Sequence, residues 1–208
     1  MIYPQKNKLI KWFFHNYVMR IVAQNFEQVK FNDIPVDRSK SVLLIANHFS
    51  WWDGFLMYYI NHQLLKKQFH VMVLEETVKK IGFFKYLGAF SVSKGSRDAI
   101  KSINYAVELL KEPDSLVLIF PQGELHSNFV DAMAFEKGII RIAERSGAKH
   151  QIIFSATFVE NLQYKKPTAS VYLKTIAEQK SGADVIDLQQ AYQEHYNDAL
   201  AQQTKLTV

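Results

Sequence analysis

A chain of 208 residues, 48% hydrophobic and 22% charged, is long enough to bury one sizeable core and short for two, and so ordinary a composition excludes extended disorder. The absence of cysteine excludes disulfides, thiolate metal sites and a cysteine nucleophile. A net charge of +5 favours anionic partners: a phosphate-bearing ligand, an anionic membrane face or nucleic acid.

From Leu9 to about Phe26, Ile10, Phe13, Phe14, Tyr17, Val18, Ile21 and Val22 recur at three- and four-residue spacings, which predicts an amphipathic helix. Lys6, Lys8, Lys11 and Arg20 surround that face. Aromatics with flanking cations suit a helix lying in a bilayer interface, and the same periodicity equally suits a helix packed on its own domain. Lys11, His15, Asn16 and Arg20 interrupt the apolar stretch, so neither a spanning helix nor a secretory signal is expected, and the chain is placed at the cytoplasmic side of a membrane. The expected division is an interfacial helix over 1–30 and an α/β domain over 31–208.

Beyond the helix the pattern alternates. Strands are predicted at Ser41–Ala46, Phe69–Leu74, Phe90–Val92, Leu116–Phe120, Ile152–Phe158 and Ser170–Thr175. Helices are predicted at Trp51–Lys66, from Glu75 towards Tyr86, at Asp98–Lys111, at Phe135–Arg145 and from Asp187 to Lys205. Strands separated by helices indicate an α/β fold with a mostly parallel sheet flanked by helices. In such sheets ligands gather beyond the carboxyl ends of the strands, which singles out Asn47-His48 and Pro121-Gln122-Gly123.

A His followed five positions later by an Asp is weak as a spacing, because this composition supplies about 0.3 such pairs by chance. The chain holds two: His48/Asp53 and His126/Asp131. On one continuous helix, five steps leave two side chains about 140° apart, so a contact requires the helix to begin between them. The first pair meets that condition. His48 closes an apolar strand, Ser50 is a candidate N-cap, and Asp53 falls in the first helical turn, where the dipole favours a carboxylate. Asp53 then fixes one imidazole nitrogen and frees the other as a base. The second pair lies in a polar stretch after a glycine, and reads as a loop His, lining the site at most, and a surface Asp.

With no Gly-x-Ser-x-Gly elbow, a His–Asp pair fits direct attack by a substrate hydroxyl on a carbonyl. Leu116 to Phe120 runs into Pro121-Gln122-Gly123-Glu124, a buried strand stopped by proline, with a glycine that permits a tight turn and amides suited to an oxyanion or phosphate.

Asn47-His48-Phe-Ser-Trp-Trp-Asp53, Gly88-Ala89-Phe90-Ser91-Val92, Phe120-Pro121-Gln122-Gly123 and Lys137-Gly138 resemble, in order and spacing, the blocks of the glycerolipid acyltransferases, a family that includes the bacterial 1-acylglycerol-3-phosphate acyltransferases. The likeness runs from about Ser41 to Phe158. It implies His48 and Asp53 as catalytic dyad, an acyl-CoA or acyl carrier protein thioester as donor, a lipid acceptor at a membrane surface, and no metal or cofactor. Lys94, Arg97, Phe120, Pro121, Gln122, Gly123, Glu124 and His126 become the candidate substrate-binding residues.

The departures concern the acceptor. The third block of the family usually reads Phe-Pro-Glu-Gly-Thr-Arg-Ser, with its Arg associated with the acceptor phosphate. Here Gln122 replaces the Glu, and Glu124-Leu125-His126-Ser127 replaces Thr-Arg-Ser. Lys94 supplies a point charge rather than a bidentate fork, with Arg97 three residues on. A lysophospholipid-like acceptor is therefore the default, with a neutral or amine-bearing lipid and a non-catalytic lipid-binding role as alternatives. A nucleic-acid role rests on scattered Lys and Arg alone, with no recognised motif, and is not expected.

Overall fold

The computed structural model describes residues 1–93, 98–128, 130–147, 150–176 and 187–207. Helix α1 (Lys8–Asn25) opens with Asn7 as N-cap, its side chain accepting from the Ile10 amide at 3.1 Å. The helix presents two faces. Val18, Val22 and the following Phe26 are buried in the main core, whereas Leu9, Trp12, Phe13 and Tyr17 face outward.

Strands β1 (Gln28–Phe31), β2 (Ser41–Ala46), β3 (Gln68–Leu74), β4 (Ala89–Val92), β5 (Ser115–Ile119), β6 (His150–Glu160) and β7 (Thr168–Ile176) form one sheet in the order β1-β7-β6-β2-β5-β3-β4. Every neighbouring pair is parallel except β6 with β7. The helices are α2 (Asp53–Ile60), continued by a π turn over Asn61–Leu65, then α3 (Glu75–Lys80), α4 (Asp98–Leu109), α5 (Lys137–Ser146) and α6 (Leu188–Gln203); a 3-10 turn spans Gly82–Leu87. The expected α/β architecture, mostly parallel and opened by a helix, is what the chain adopts. The sequence reading missed β1: Gln28-Val-Lys-Phe31 is short and only half buried, and it becomes a strand through its register with Thr168–Val171.

All six β2 residues are buried, as a central parallel strand requires. Val42, Leu44 and Ala46 face α1 and α2, packing with Phe55, Leu56 and Ile60; Leu43 and Ile45 face α4, α5 and α6, packing with Ile103, Val107, Ile139, Ile142, Tyr192 and Tyr196. Each such aliphatic or aromatic side chain contributes about 1.5–3 kcal/mol. Gly88, at φ +98°, must be glycine, because a Cβ there would lie 2.0 Å from the Phe69 carbonyl oxygen. None of the helices among the described residues is long and apolar enough to cross a membrane.

One feature of register shapes the site. β3 pairs with β5 only from Gln68↔Ser115 to Val71↔Leu118, while its pairing with β4 runs from Val71↔Ala89 to Leu74↔Val92. At its carboxyl end β3 therefore leaves β5 and follows β4, opening a fissure between two parallel strands.

Candidate active site

His48 lies two residues beyond β2, and Asp53 begins α2, so the junction between strand and helix falls between them. The imidazole Nδ1 donates to Asp53 Oδ2 at 2.8 Å. The same oxygen accepts the Phe49 amide at 2.7 Å and the Ser50 amide at 2.9 Å, and Ser50 Oγ donates to Oδ1 at 3.2 Å. An oxygen of Asp53 that accepts three N–H donors fixes a proton on Nδ1, so in the neutral ring the lone pair falls on Nε2. Asp53 is 2% exposed and His48 25%, a buried carboxylate behind a reachable imidazole.

Ser50 does not cap the helix as expected. Trp52 holds the N-cap position, and Ser50 Oγ accepts the Trp52 amide at 3.0 Å while its hydroxyl turns to Asp53. The serine shapes the turn, and the aspartate satisfies the amides that lead into the helix.

Behind His48, the Phe120 ring stacks on the imidazole at 4.2 Å and 17°. Gln122, 8% exposed, accepts the His48 backbone amide on Oε1 at 2.7 Å, and the His126 amide donates to the His48 carbonyl at 2.9 Å. On the other side, Asn47 Nδ2 donates to the Thr157 carbonyl at 2.9 Å and its Oδ1 accepts the Thr157 amide at 2.8 Å. Gly123, at φ +68°, turns the chain with its amide donating to the Phe120 carbonyl at 3.2 Å. The amides of Gly123 and His126 are thus spent on neighbouring carbonyls rather than offered to an oxyanion.

The fissure between β3 and β5 opens into a cavity of about 680 Å³. Its lining is predominantly apolar: Phe55, Val71, Val73, Phe84, Ile103 and Ile119 are representative, with His48 and Trp51 also on the wall. Tyr58 lines it from α2, its phenol pushed up to about 12 by burial and its oxygen 3.1 Å from His15 Nδ1 on α1. Burial, then the neighbouring His62 and Lys11, holds the His15 imidazole below its ordinary range.

Of the expected substrate-binding residues, Phe120, Gly123 and Glu124 line the cavity, while Pro121 and Gln122 are buried behind it. His126 Nε2 is 3.6 Å from Glu124 Oε1. Asp131 is exposed and engages Gln193 through its backbone carbonyl, so the second His–Asp spacing remains a loop feature. Lys94 and Arg97 lie outside the described residues. The sequence reading missed Arg141, a cationic side chain on the cavity lining, contributed by α5 together with Gly138 and Ile142. Lys137, Arg141 and Arg145, four residues apart along one helix, were the available signal.

The sequence model of the acyltransferase family, described as Acyltransferase, matches residues 21–158. A Streptococcus pneumoniae protein named 1-acyl-sn-glycerol-3-phosphate acyltransferase is 31% identical over 97 residues, which span 45% of this chain and 35% of that protein. The crystal structure of the 1-acyl-sn-glycerophosphate (LPA) acyltransferase, PlsC, from Thermotoga maritima superposes with a TM-score of 0.68 at 17% identity, covering 95% of this chain and 81% of that one. At that identity the likeness is one of fold.

Proposed function

The chain belongs to the acyltransferase family, and we propose that it moves a fatty acyl group from an acyl-CoA or acyl carrier protein thioester to the hydroxyl of a lysophospholipid-like acceptor, without metal or cofactor. The observation that carries this reading is a His48 with Nδ1 committed to Asp53 on the wall of an apolar cavity of about 680 Å³. An acyl chain fills apolar space, and a base at its margin meets the hydroxyl that attacks the thioester carbon.

In this mechanism Nε2 of His48 removes the proton of the acceptor hydroxyl as its oxygen attacks the thioester carbonyl. The new C–O bond forms, the tetrahedral intermediate collapses with cleavage of the C–S bond, and the imidazolium returns the proton to the departing thiolate. Asp53 keeps the ring in the productive tautomer and stabilises the imidazolium. No enzyme-bound acyl group is needed.

Access to both amphiphilic substrates follows if the outward face of α1 rests in a bilayer interface. Leu9, Trp12, Phe13 and Tyr17 are exposed beside Lys8 and Lys11, and Trp51, half exposed, joins the cavity wall. A peripheral position on the cytoplasmic side of a membrane belongs to the same proposal, with that exposed face in support of the membrane contact.

For the acceptor, Arg141 on the cavity wall supports an anionic headgroup. A second reading, a neutral or amine-bearing lipid acceptor, is favoured by Glu124 and Glu136 on the same wall and by Leu125 where the family's third block carries Arg. Purified protein given a labelled acyl thioester and a panel of phosphate-bearing, neutral and amine-bearing acceptors, with products identified by mass spectrometry, tests both. Transfer to phosphate-bearing acceptors is expected, with Arg141→Ala raising KM for these alone. Transfer restricted to amine-bearing acceptors selects the second reading, and no transfer to any acceptor overturns both.

A further inference from the structure

The sheet ends before the catalytic histidine does. The last β2–β6 pair is Ala46↔Ser155 and the last β2–β5 pair is Ile45↔Ile119, which leaves Asn47 and His48 without strand partners on either side. A backbone released from its ladder frays, and unpaired buried amides and carbonyls are costly. Two side chains take the place of the missing rungs. The Asn47 carboxamide presents one acceptor and one donor to the amide and carbonyl of Thr157, as a peptide group on a neighbouring strand does. The Gln122 carboxamide, reaching from the end of β5, accepts the His48 amide with its oxygen. Both amide orientations are forced, because a backbone N–H meets oxygen and a backbone carbonyl meets nitrogen.

We propose that Asn47 and Gln122 are positioning residues which prolong the sheet by side-chain amides, so that His48 is held in fixed register above its aspartate. This rests on His48 being the base. The two amides have different chemical requirements. Gln122 serves with its acceptor oxygen alone, and a carboxylate supplies that equally well. Asn47 uses both ends, and a carboxylate there sets an oxygen against the Thr157 carbonyl. The glutamate usual at the position of Gln122 is therefore interchangeable with glutamine, and an aspartate at position 47 is not equivalent to asparagine although the match in size is the same.

The experiment compares Gln122→Glu, Gln122→Leu and Asn47→Asp by steady-state kinetics and by amide hydrogen exchange in NMR. Gln122→Leu is expected to lower kcat about 10²-fold, as displacement of a catalytic group by about 1 Å does, with both KM values unchanged. Its His48 amide exchanges faster while those of Leu43 to Ile45 keep their protection, which separates loss of register from loss of fold. Gln122→Glu keeps kcat within about threefold and a protected His48 amide, since the acceptor survives. Asn47→Asp loses kcat as Gln122→Leu does. Wild-type kcat and a protected His48 amide in Gln122→Leu overturn the proposal. So does damage in Gln122→Glu equal to that in Gln122→Leu, an effect confined to acceptor KM, or full activity in Asn47→Asp. The exchange measurements need no substrate, so they judge the positioning role even where the wild type transfers no acyl group, an outcome that defeats the proposed function instead.

Discussion

The two sides of β5 treat the same stretch of sheet in opposite ways. Towards β2 the ladder is paired to Ile45↔Ile119 and continued by the Gln122 amide to His48; towards β3 it stops at Val71↔Leu118 and gives way to a cavity. The proposed acyl transfer needs both conditions within a few ångströms. The base must not move, and the long apolar substrate must have somewhere to go. A parallel sheet supplies rigidity on one side of a strand and space on the other by letting one neighbour change partners.

The sharpest way to break the firm side is to remove the base. His48→Ala is expected to lower kcat by about 10³-fold, within the range of general acid–base catalysis, with an unchanged melting temperature, because the imidazole is partly exposed and the Phe49 and Ser50 amides still hold Asp53. Asp53→Asn keeps an oxygen for the His48, Phe49 and Ser50 N–H donors, but it sets an NH₂ against the Ser50 hydroxyl and removes the charge that stabilises the imidazolium, so it lowers kcat with a smaller loss of stability. An unchanged rate in His48→Ala, measured by thioester consumption, removes this histidine from the chemistry.

The next largest effect is acid destabilisation, and it samples both sides. His70 on β3 and His195 on α6 are each held down to about 4, chiefly by burial, against an ordinary value of 6.5. Their folded forms stay neutral where the unfolded chain takes up a proton, so the stability they contribute is complete above pH 6.5 and is lost as pH falls towards 4. Each accounts for about 3 kcal/mol over that window. The two differ in partners: His195 Nε2 pairs with the Tyr172 carbonyl at 3.0 Å, whereas His70 has only a weak interaction with the Gly88 backbone. Urea unfolding from pH 7 to 4 should therefore show His70→Leu flattening the profile at little cost at neutral pH, and His195→Leu flattening it from a lower start. Profiles parallel to wild type in both variants contradict burial as the cause.

These contrasts also show what the sequence carried. The helix over 8–25, the alternating strands and the His48/Asp53 junction were legible because they depend on local periodicity and on where a helix starts. The four ordered blocks then separated that pair from His126/Asp131. Gln122 was legible as a departure from a pattern, but its bond to the His48 amide spans 74 positions, and only the fold brings the two together. Ser50 illustrates the opposite error: a good capping residue beside a helix start is not its cap when an aspartate three residues on takes the amides. β1 was invisible because its pairing partner is 140 residues away, and Arg141 because facing a cavity is a tertiary property.

A smaller effect is expected at the membrane. Trp12→Ser with Phe13→Ser removes two exposed rings from α1 without touching Val18 or Val22, and should weaken sedimentation with anionic phospholipid vesicles by at least about tenfold, since each aromatic is worth more than 1 kcal/mol in an apolar setting. Melting temperature and turnover of a short-chain, water-soluble thioester should not change. Equal vesicle binding by the variant assigns that face to some other contact.

The smallest predicted change sharpens the open side of the comparison. Val73 lines the cavity just past the point where β3 leaves β5, so Val73→Trp fills the fissure without touching the His48 register. Overpacking of this kind costs about 1–3 kcal/mol where side chains cannot yield, but here the added ring enters open space. The expected result is a shift in donor preference: kcat/KM for long-chain acyl thioesters falls about tenfold, that for short chains holds, and the His48 amide stays protected. If short and long chains suffer alike while that amide remains protected, the acyl chain does not run through the fissure, and the space beside β5 has another use. If the amide loses protection as well, the two sides of β5 are not independent, and the firmness of one depends on the emptiness of the other.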